Sequence, residues 1–321
     1  MSANICSCES PSFPNMNRPN CVIEQRALAF PAFMPRFKAD GTRNTIDITS
    51  ATIGTDIQAL VNAADPLQRL YPMPRMENVT WERTDTVFEE APSTRKYIVP
   101  GVGGVRTLNG ELWGKNAVNQ MLRELKKLGC SEVDLYYFDV AGNIWGIKDN
   151  VTDSVMRGYA VSTETFDAFK DYATDTTVPK IMVSLDFDNA ECEENSYAIT
   201  QEELGYNAAN TIKGLFTGLM NLEELVDGTV TLTAFTGYGS ANNRHDIVGL
   251  DAITPSITLA LYNVTQATAM TTPTGFAATA VDGQYTFDFL TAEAALNDVI
   301  RLTITGATGY DFPPQVWSHP F

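Results

Sequence analysis

The densest group of side chains able to do chemistry lies between Asp186 and Glu194: Asp186, Asp188, Glu191, Glu193 and Glu194. Asp186 and Asp188 end a β-branched run, Lys180 to Phe187, that reads as a strand. Residues two apart on a strand project to one face, an arrangement suited to a shared divalent cation or a carboxylate pair. The run departs from an EF-hand loop, because the turn position that requires glycine holds Glu191. A glycoside hydrolase would need two carboxylates about 5 to 10 Å apart across a sugar cleft, a geometry that spacing alone does not give. Acidic runs in a chain with 39 acidic and 22 basic residues are by default a solvated face. That is the preferred reading, and no residue is assigned to catalysis, cofactor binding or a metal.

Other chemistry is sparse. The only histidines are His245, in the polar run Asn242 to Asp246 that reads as a loop, and His319, close to the end. A general base needs a fixed orienting partner, and the sequence supplies none for either. No nucleophile elbow, Walker loop or His-Glu-x-x-His occurs. Three of the five cysteines, Cys6, Cys8 and Cys21, supply three of zinc's four ligands, with no fourth in reach, and read as reduced thiols in a surface arm. Gly101, Gly103 and Gly104 would cradle phosphate only ahead of a helix N-terminus. Strand-like Val105 to Leu108 follows instead, so a turn or bulge with positive φ is expected.

The clearest folding unit among the elements that would position these groups is Gly114 to Asp149. Val118, Met121, Leu122, Leu125 and Leu128 form a helical apolar stripe opposite Arg123, Lys126 and Lys127. Gly129 follows as a stop expected to need positive φ. Val133, Leu135 and Tyr137 then alternate with Asp134, Tyr136 and Phe138, and Ala141-Gly142-Asn143 turns the chain into Ile144 to Ile147. The helix is expected to pack on a sheet through Leu122, Leu125 and Leu128.

Before this unit, a Ser-, Asn- and Pro-rich arm runs to about Asn20. Strands are expected within Cys21 to Phe37, limited by Pro31 and Pro35, and over 45–53, 77–84, 86–90 and 95–100, with a helix over Asp56 to Ala64. After it, helices are expected over Glu164 to Tyr172 and Asn207 to Val226, the latter on Ile212, Leu215, Phe216, Leu219, Met220 and Leu222. From Thr229 onward, short Thr-rich strands at regular spacing signal a β-sandwich, followed by a loose tail from Pro313.

A net charge of −17 argues against a surface that grips nucleic acid, which needs clustered Lys and Arg. It suits a wall past which DNA slides. No stretch approaches the roughly 20 apolar residues of a membrane span. The first residues lack a basic and apolar leader pattern, from which assembly in a cytoplasm is expected.

The order of parts carries a resemblance. The arm ending Arg18-Pro19-Asn20-Cys21 precedes a proline-spaced aromatic strand. Arg106-Thr107-Leu108-Asn109-Gly110-Glu111-Leu112-Trp113 and the helix–stop–hairpin of Leu122 to Gly146 follow, and a short sandwich closes the chain. This resembles the tail tube proteins of tailed phages infecting Bacteroidota, most specifically over Arg106 to Gly146. The resemblance implies an α+β chain: an arm over 1–20, an antiparallel β-barrel or sandwich tube domain with flanking helices over 21–227, and an immunoglobulin-like sandwich over 228–321. It implies a structural virion protein without enzymatic activity, forming stacked hexameric rings. Its partners would be itself, other tail or head–tail proteins, and DNA passing through the lumen, with no membrane. The alternatives are another ring component, at the head–tail joint or baseplate, or a glycan-binding or hydrolysing module using Asp186 to Glu194.

Overall fold

A computed structural model describes residues 24–85, 88–90, 96–98, 104–148, 153–188, 195–240, 243–252, 257–307 and 309–320. The arm with Cys6, Cys8 and Cys21 lies outside the described residues, as do Gly101, Gly103, Glu191, Glu193 and Glu194. The chain divides into two compact units, Met1–Gly214 and Leu215–Phe321. It is mainly antiparallel sheet with a few short helices.

The first unit is organised around Val133–Asp139, buried along its whole length. It pairs with Leu28–Pro35 on one side and with Ile144–Ile147 and Tyr159–Ala160 on the other. Side-chain parity explains why both faces are apolar. Val133, Leu135 and Tyr137 enter one core, shared with Leu108, Leu112, Ile181, Val183 and Leu185 of a second sheet. Tyr136 and Phe138 enter another, closed by Ile57 and Val61 of the helix Ile53–Val61 and by Leu204, Ala208 and Ile212. The second sheet runs in the order Asp167–Asp171, Lys180–Asp186, Arg106–Trp113, Glu77–Arg83.

The helix Asn119–Leu128 forms as expected and buries Leu125 in the core between the two sheets, with Leu122 and Leu128 half-buried beside it. Gly129 ends it at φ −64°, so the expected left-handed stop is absent. A Cβ there would lie 3.2 Å from the Phe166 ring, a tight contact that the ring would have to yield to. Gly142 does turn the hairpin at φ +90°. Leu28–Pro35 runs through Pro31, which was expected to limit it. The opposing partner at that point, Tyr71–Pro72, is so short that Pro31 is nearly an edge residue. The strand expected over 45–53 shrinks to Ile46–Asp47.

Three elements differ more. Glu164 to Tyr172 is a strand, Asp167–Asp171, because pairing with Lys180–Asp186 outweighs the weak helical preference of so short a segment. Asn207 to Val226 is one helical turn, Ala208–Thr211, followed by the eleven-residue strand Phe216–Val226. Gly218, Met220 and Glu224 are its buried residues, a period of two. The Asp227-Gly228 turn, with Gly228 at φ +79°, joins this strand to Thr229–Ser240 as a hairpin of the second unit. The tail is not loose: Gln315–Ser318 pairs with Val299–Thr305.

The second unit is two sheets. One orders Thr274–Ala278, Gln284–Asp288, Thr229–Ser240, Phe216–Val226 and Tyr310–Asp311, with Asn243–Asp246 also on Thr229–Ser240. The other orders Thr268–Ala269, Thr258–Asn263, Val299–Thr305 and Gln315–Ser318. Val230, Leu232, Tyr285 and Phe287 of the first meet Leu259, Leu261, Ile300 and Leu302 of the second in one core, as in sheet-on-sheet packing.

Candidate functional site

The residues singled out in the sequence are not brought together as a catalytic pair. Asp186 closes its strand and accepts a hydrogen bond from Thr107 Oγ1 at 2.6 Å, which ties it to the neighbouring strand. Asp188 lies beyond the strand end, exposed, on the rim of a cleft. His245 lies in the strand Asn243–Asp246 instead of a loop and is exposed, opposite Thr236. Cys130 is an exposed free thiol.

That cleft, of about 580 Å³, lies in the first unit. Its floor is aromatic. Trp81 stacks on Phe187 with ring centroids 4.7 Å apart and meets Tyr137 and Tyr159 edge-on at 5.2 and 5.7 Å. The hydroxyls are placed by polar partners: Tyr137 Oη donates to the Arg26 carbonyl at 2.6 Å, and Tyr159 Oη shares a 2.6 Å hydrogen bond with Ser196 Oγ. Burial, with the Asp139 charge nearby, raises the Tyr137 hydroxyl well above its ordinary range, so it remains a proton donor. Arg83 and Arg106 stand on the rim.

A second polar cluster, in the second unit, escaped the sequence reading. His319 is 2 % exposed, and its Nδ1 lies 3.0 Å from Glu224 Oε1. The other Glu224 oxygen accepts from Trp317 Nε1 at 2.9 Å, and Gly228 N–H donates to Oε1 at 3.1 Å. Asp227 Oδ1 lies 3.9 Å from Nε2. The histidine therefore has the orienting carboxylate that the sequence did not reveal, from a residue 95 positions away. The three side chains could surround a cation. The Glu224 carboxylate, however, is already saturated by an indole, an amide and an imidazole, which makes the cluster a tie between strands before it is a ligand set. The one local signal was Asp227-Gly228, a hairpin dipeptide that sets Asp227 at a tight turn.

The third feature is a ribbon. The Glu77–Arg83/Arg106–Trp113 ladder continues through Thr84 N–H to the Val105 carbonyl at 2.9 Å and Gly104 N–H to the Thr84 carbonyl at 3.0 Å. Gly104 takes φ +72°, the positive value expected of a turn or bulge. Between these two strands in the sequence, Phe88–Glu90 pairs with Lys96–Ile98 and, among the described residues, with no other strand. At the opposite edge of the sheet, Phe169 and Tyr172 are 49 % and 78 % exposed. Among the described residues, no helix is long and apolar enough to cross a membrane. No protein-family model matches the chain, and no curated protein matches it.

Proposed function

We propose that the chain is a structural virion protein, a subunit of a phage tail tube whose stacked rings form a DNA conduit. The observation that carries this reading is the ribbon. A two-stranded hairpin standing alone is marginal in water, and an uncovered edge is a template for another chain. A ring neighbour would supply the missing cover. The exposed Phe169 and Tyr172 lie at the Asp167–Asp171 edge of the four-stranded sheet whose other edge is Glu77–Arg83, so two different edges of one subunit are open to pairing. Contact between unlike edges is head-to-tail, the kind that closes rings. The net charge of −17 fits a lumen that does not hold DNA.

Negative-stain microscopy of the purified full chain tests this: rings or tubes with an axial repeat are expected. Phe169→Asp with Tyr172→Asp should leave a folded monomer. A protein that stays monomeric at high concentration and is absent from virion tails would overturn the proposal. Rings without axial repeat would instead indicate a head–tail or baseplate component.

A further inference from the structure

Three adjacent strands of the first unit's second sheet bring a lysine, a glutamate and an asparagine together. Glu111 lies on Arg106–Trp113, with Lys180 on the neighbouring strand to one side and Asn78 on the neighbour to the other. Glu111 Oε1 accepts from Lys180 Nζ at 2.7 Å, and Oε2 accepts from Asn78 Nδ2 at 2.7 Å. Trp113 Nε1 donates to Oε2 at 2.8 Å, and the Lys180 ammonium stands over the Trp113 ring at 5.5 Å. Glu111 is only 7 % exposed, although it leaves the sheet on the face opposite Leu108 and Leu112. Asn78 takes φ +49° in the bulge between Glu77 and Thr80, a left-handed backbone that asparagine tolerates better than most residues. An ion pair would be complete with Lys180 and Glu111 alone. Here one carboxylate also holds a side-chain amide nitrogen, so it touches both a nucleophile and a leaving group.

We infer that Lys180 and Asn78 join in an intramolecular isopeptide bond, with Glu111 carrying protons between them. The resting pair is charged: their mutual hydrogen bond raises the lysine and lowers the glutamate, and Asp171, 3.9 Å from Nζ, favours the same state. The reaction starts when Nζ passes a proton to Oε1 along the existing bond, leaving a neutral amine beside the amide. The amine attacks Asn78 Cγ and the Nζ–Cγ bond forms. Glu111 delivers the proton to Nδ2, and the Cγ–Nδ2 bond breaks. A second proton from Nζ follows the same route, so the nitrogen departs as ammonium and the carboxylate is restored. One secondary amide replaces one ammonium and one primary amide, with no oxidant or cofactor. Holding both groups on one carboxylate supplies the proximity such a reaction needs. The product would tie the edge strand Glu77–Arg83 covalently across its neighbour to Lys180–Asp186. The inference does not depend on the tail tube reading, because it concerns one subunit.

The test is mass spectrometry of the purified full chain, intact and after proteolysis, during incubation at neutral and mildly alkaline pH. The intact chain should become lighter than its sequence by one ammonia. Digestion should release one branched peptide joining the segments around Asn78 and Lys180. That peptide separates the cross-link from succinimide formation at Asn109-Gly110, which also releases ammonia. Lys180→Arg and Asn78→Ala should yield no branched peptide. Glu111→Gln should slow its formation by at least about a hundredfold. The rate should rise with pH, because the attacking amine must be neutral. A chain that keeps its full mass, or loses ammonia without the branched peptide, overturns the inference. A branched peptide that forms equally fast in Glu111→Gln removes the role given to the carboxylate. If the variants do not fold, the mass and the branched peptide of the unaltered chain decide alone.

Discussion

Asp134 and Glu224 are both carboxylates sealed within sheet cores, one in each unit, and different chemistry compensates them. Asp134 accepts from Arg36 Nε at 3.0 Å and from Arg43 Nε and Nη2 at 3.1 and 2.8 Å. Burial pushes its carboxyl group up, against the pull of Arg43 and Arg36. Those partners are permanently charged and come from the end of the neighbouring strand and the turn just after it. Glu224 has no such cation: it is held by an indole N–H, a backbone amide and His319. The first arrangement pins a local loop to the central strand. The second fastens the unit's opening hairpin to its last strand, with partners that carry no permanent charge.

Removing the carboxylates one at a time breaks the comparison, and the larger effect belongs to the first unit. Asp134→Ala leaves two guanidinium groups in a mostly buried site and should cost about 3 to 5 kcal/mol, read by urea denaturation and by lost hydrogen-exchange protection along Val133–Asp139. Glu224→Ala orphans three donors without leaving a permanent cation behind. It should cost about 2 to 3 kcal/mol, with exchange rising in Gln315–Ser318 while the first unit keeps its protection. Equal losses from the two variants would show that permanent charge on the partners carries no energetic weight.

A smaller effect sharpens the contrast through pH. Asp298 accepts from the Ala295 amide, Asn263 Nδ2 and Gln266 Nε2. These bonds, led by the backbone amide, hold its carboxyl below the usual carboxylate range. Because the folded-state value is depressed, the stability it contributes is fully present above the unfolded value, near pH 4, and is lost as the pH falls through the folded value. The stability gap between the unaltered chain and Asp298→Asn should therefore be constant from pH 5 to 7 and shrink toward zero below about pH 4. A gap unchanged down to pH 2 would contradict it. Asp134 shifts the opposite way, so its contribution should not fade on the same acid limb.

The regions that sequence reading recovered are those where one pattern fits one element. Leu122, Leu125 and Leu128 with Lys126 and Lys127 opposite fit only a helix, and Val133 to Phe138 with Gly142 fits only a hairpin. The region from Ile212 to Leu222 fits both periods, and a strand won because Thr229–Ser240 lies one tight turn away to pair with it. The Asp227-Gly228 dipeptide announced that turn but resembles a linker when the preceding segment is taken for a helix. The Glu224–His319 tie was beyond reach, since local patterns say nothing about partners 95 residues apart. The cleft was half legible: Trp81 and Arg83 alternate visibly on their strand, while the register that sets Arg106 opposite Arg83 is a property of the ladder.

The tie between Glu224 and the Trp317–His319 segment also bears on how the chain is made. The second unit begins with the strand that its final residues must complete, through the Glu224 bonds and the parallel pairing of Phe216 with Tyr310. Contacts of such long sequence separation form late. During translation the first unit can close while the second is still emerging from the ribosome. The hairpin Phe216–Val226/Thr229–Ser240 must then wait, unfinished, for Gln315–Ser318. A chain stalled or trimmed before Gln315 would present an open sheet, with a buried-type carboxylate and no lid.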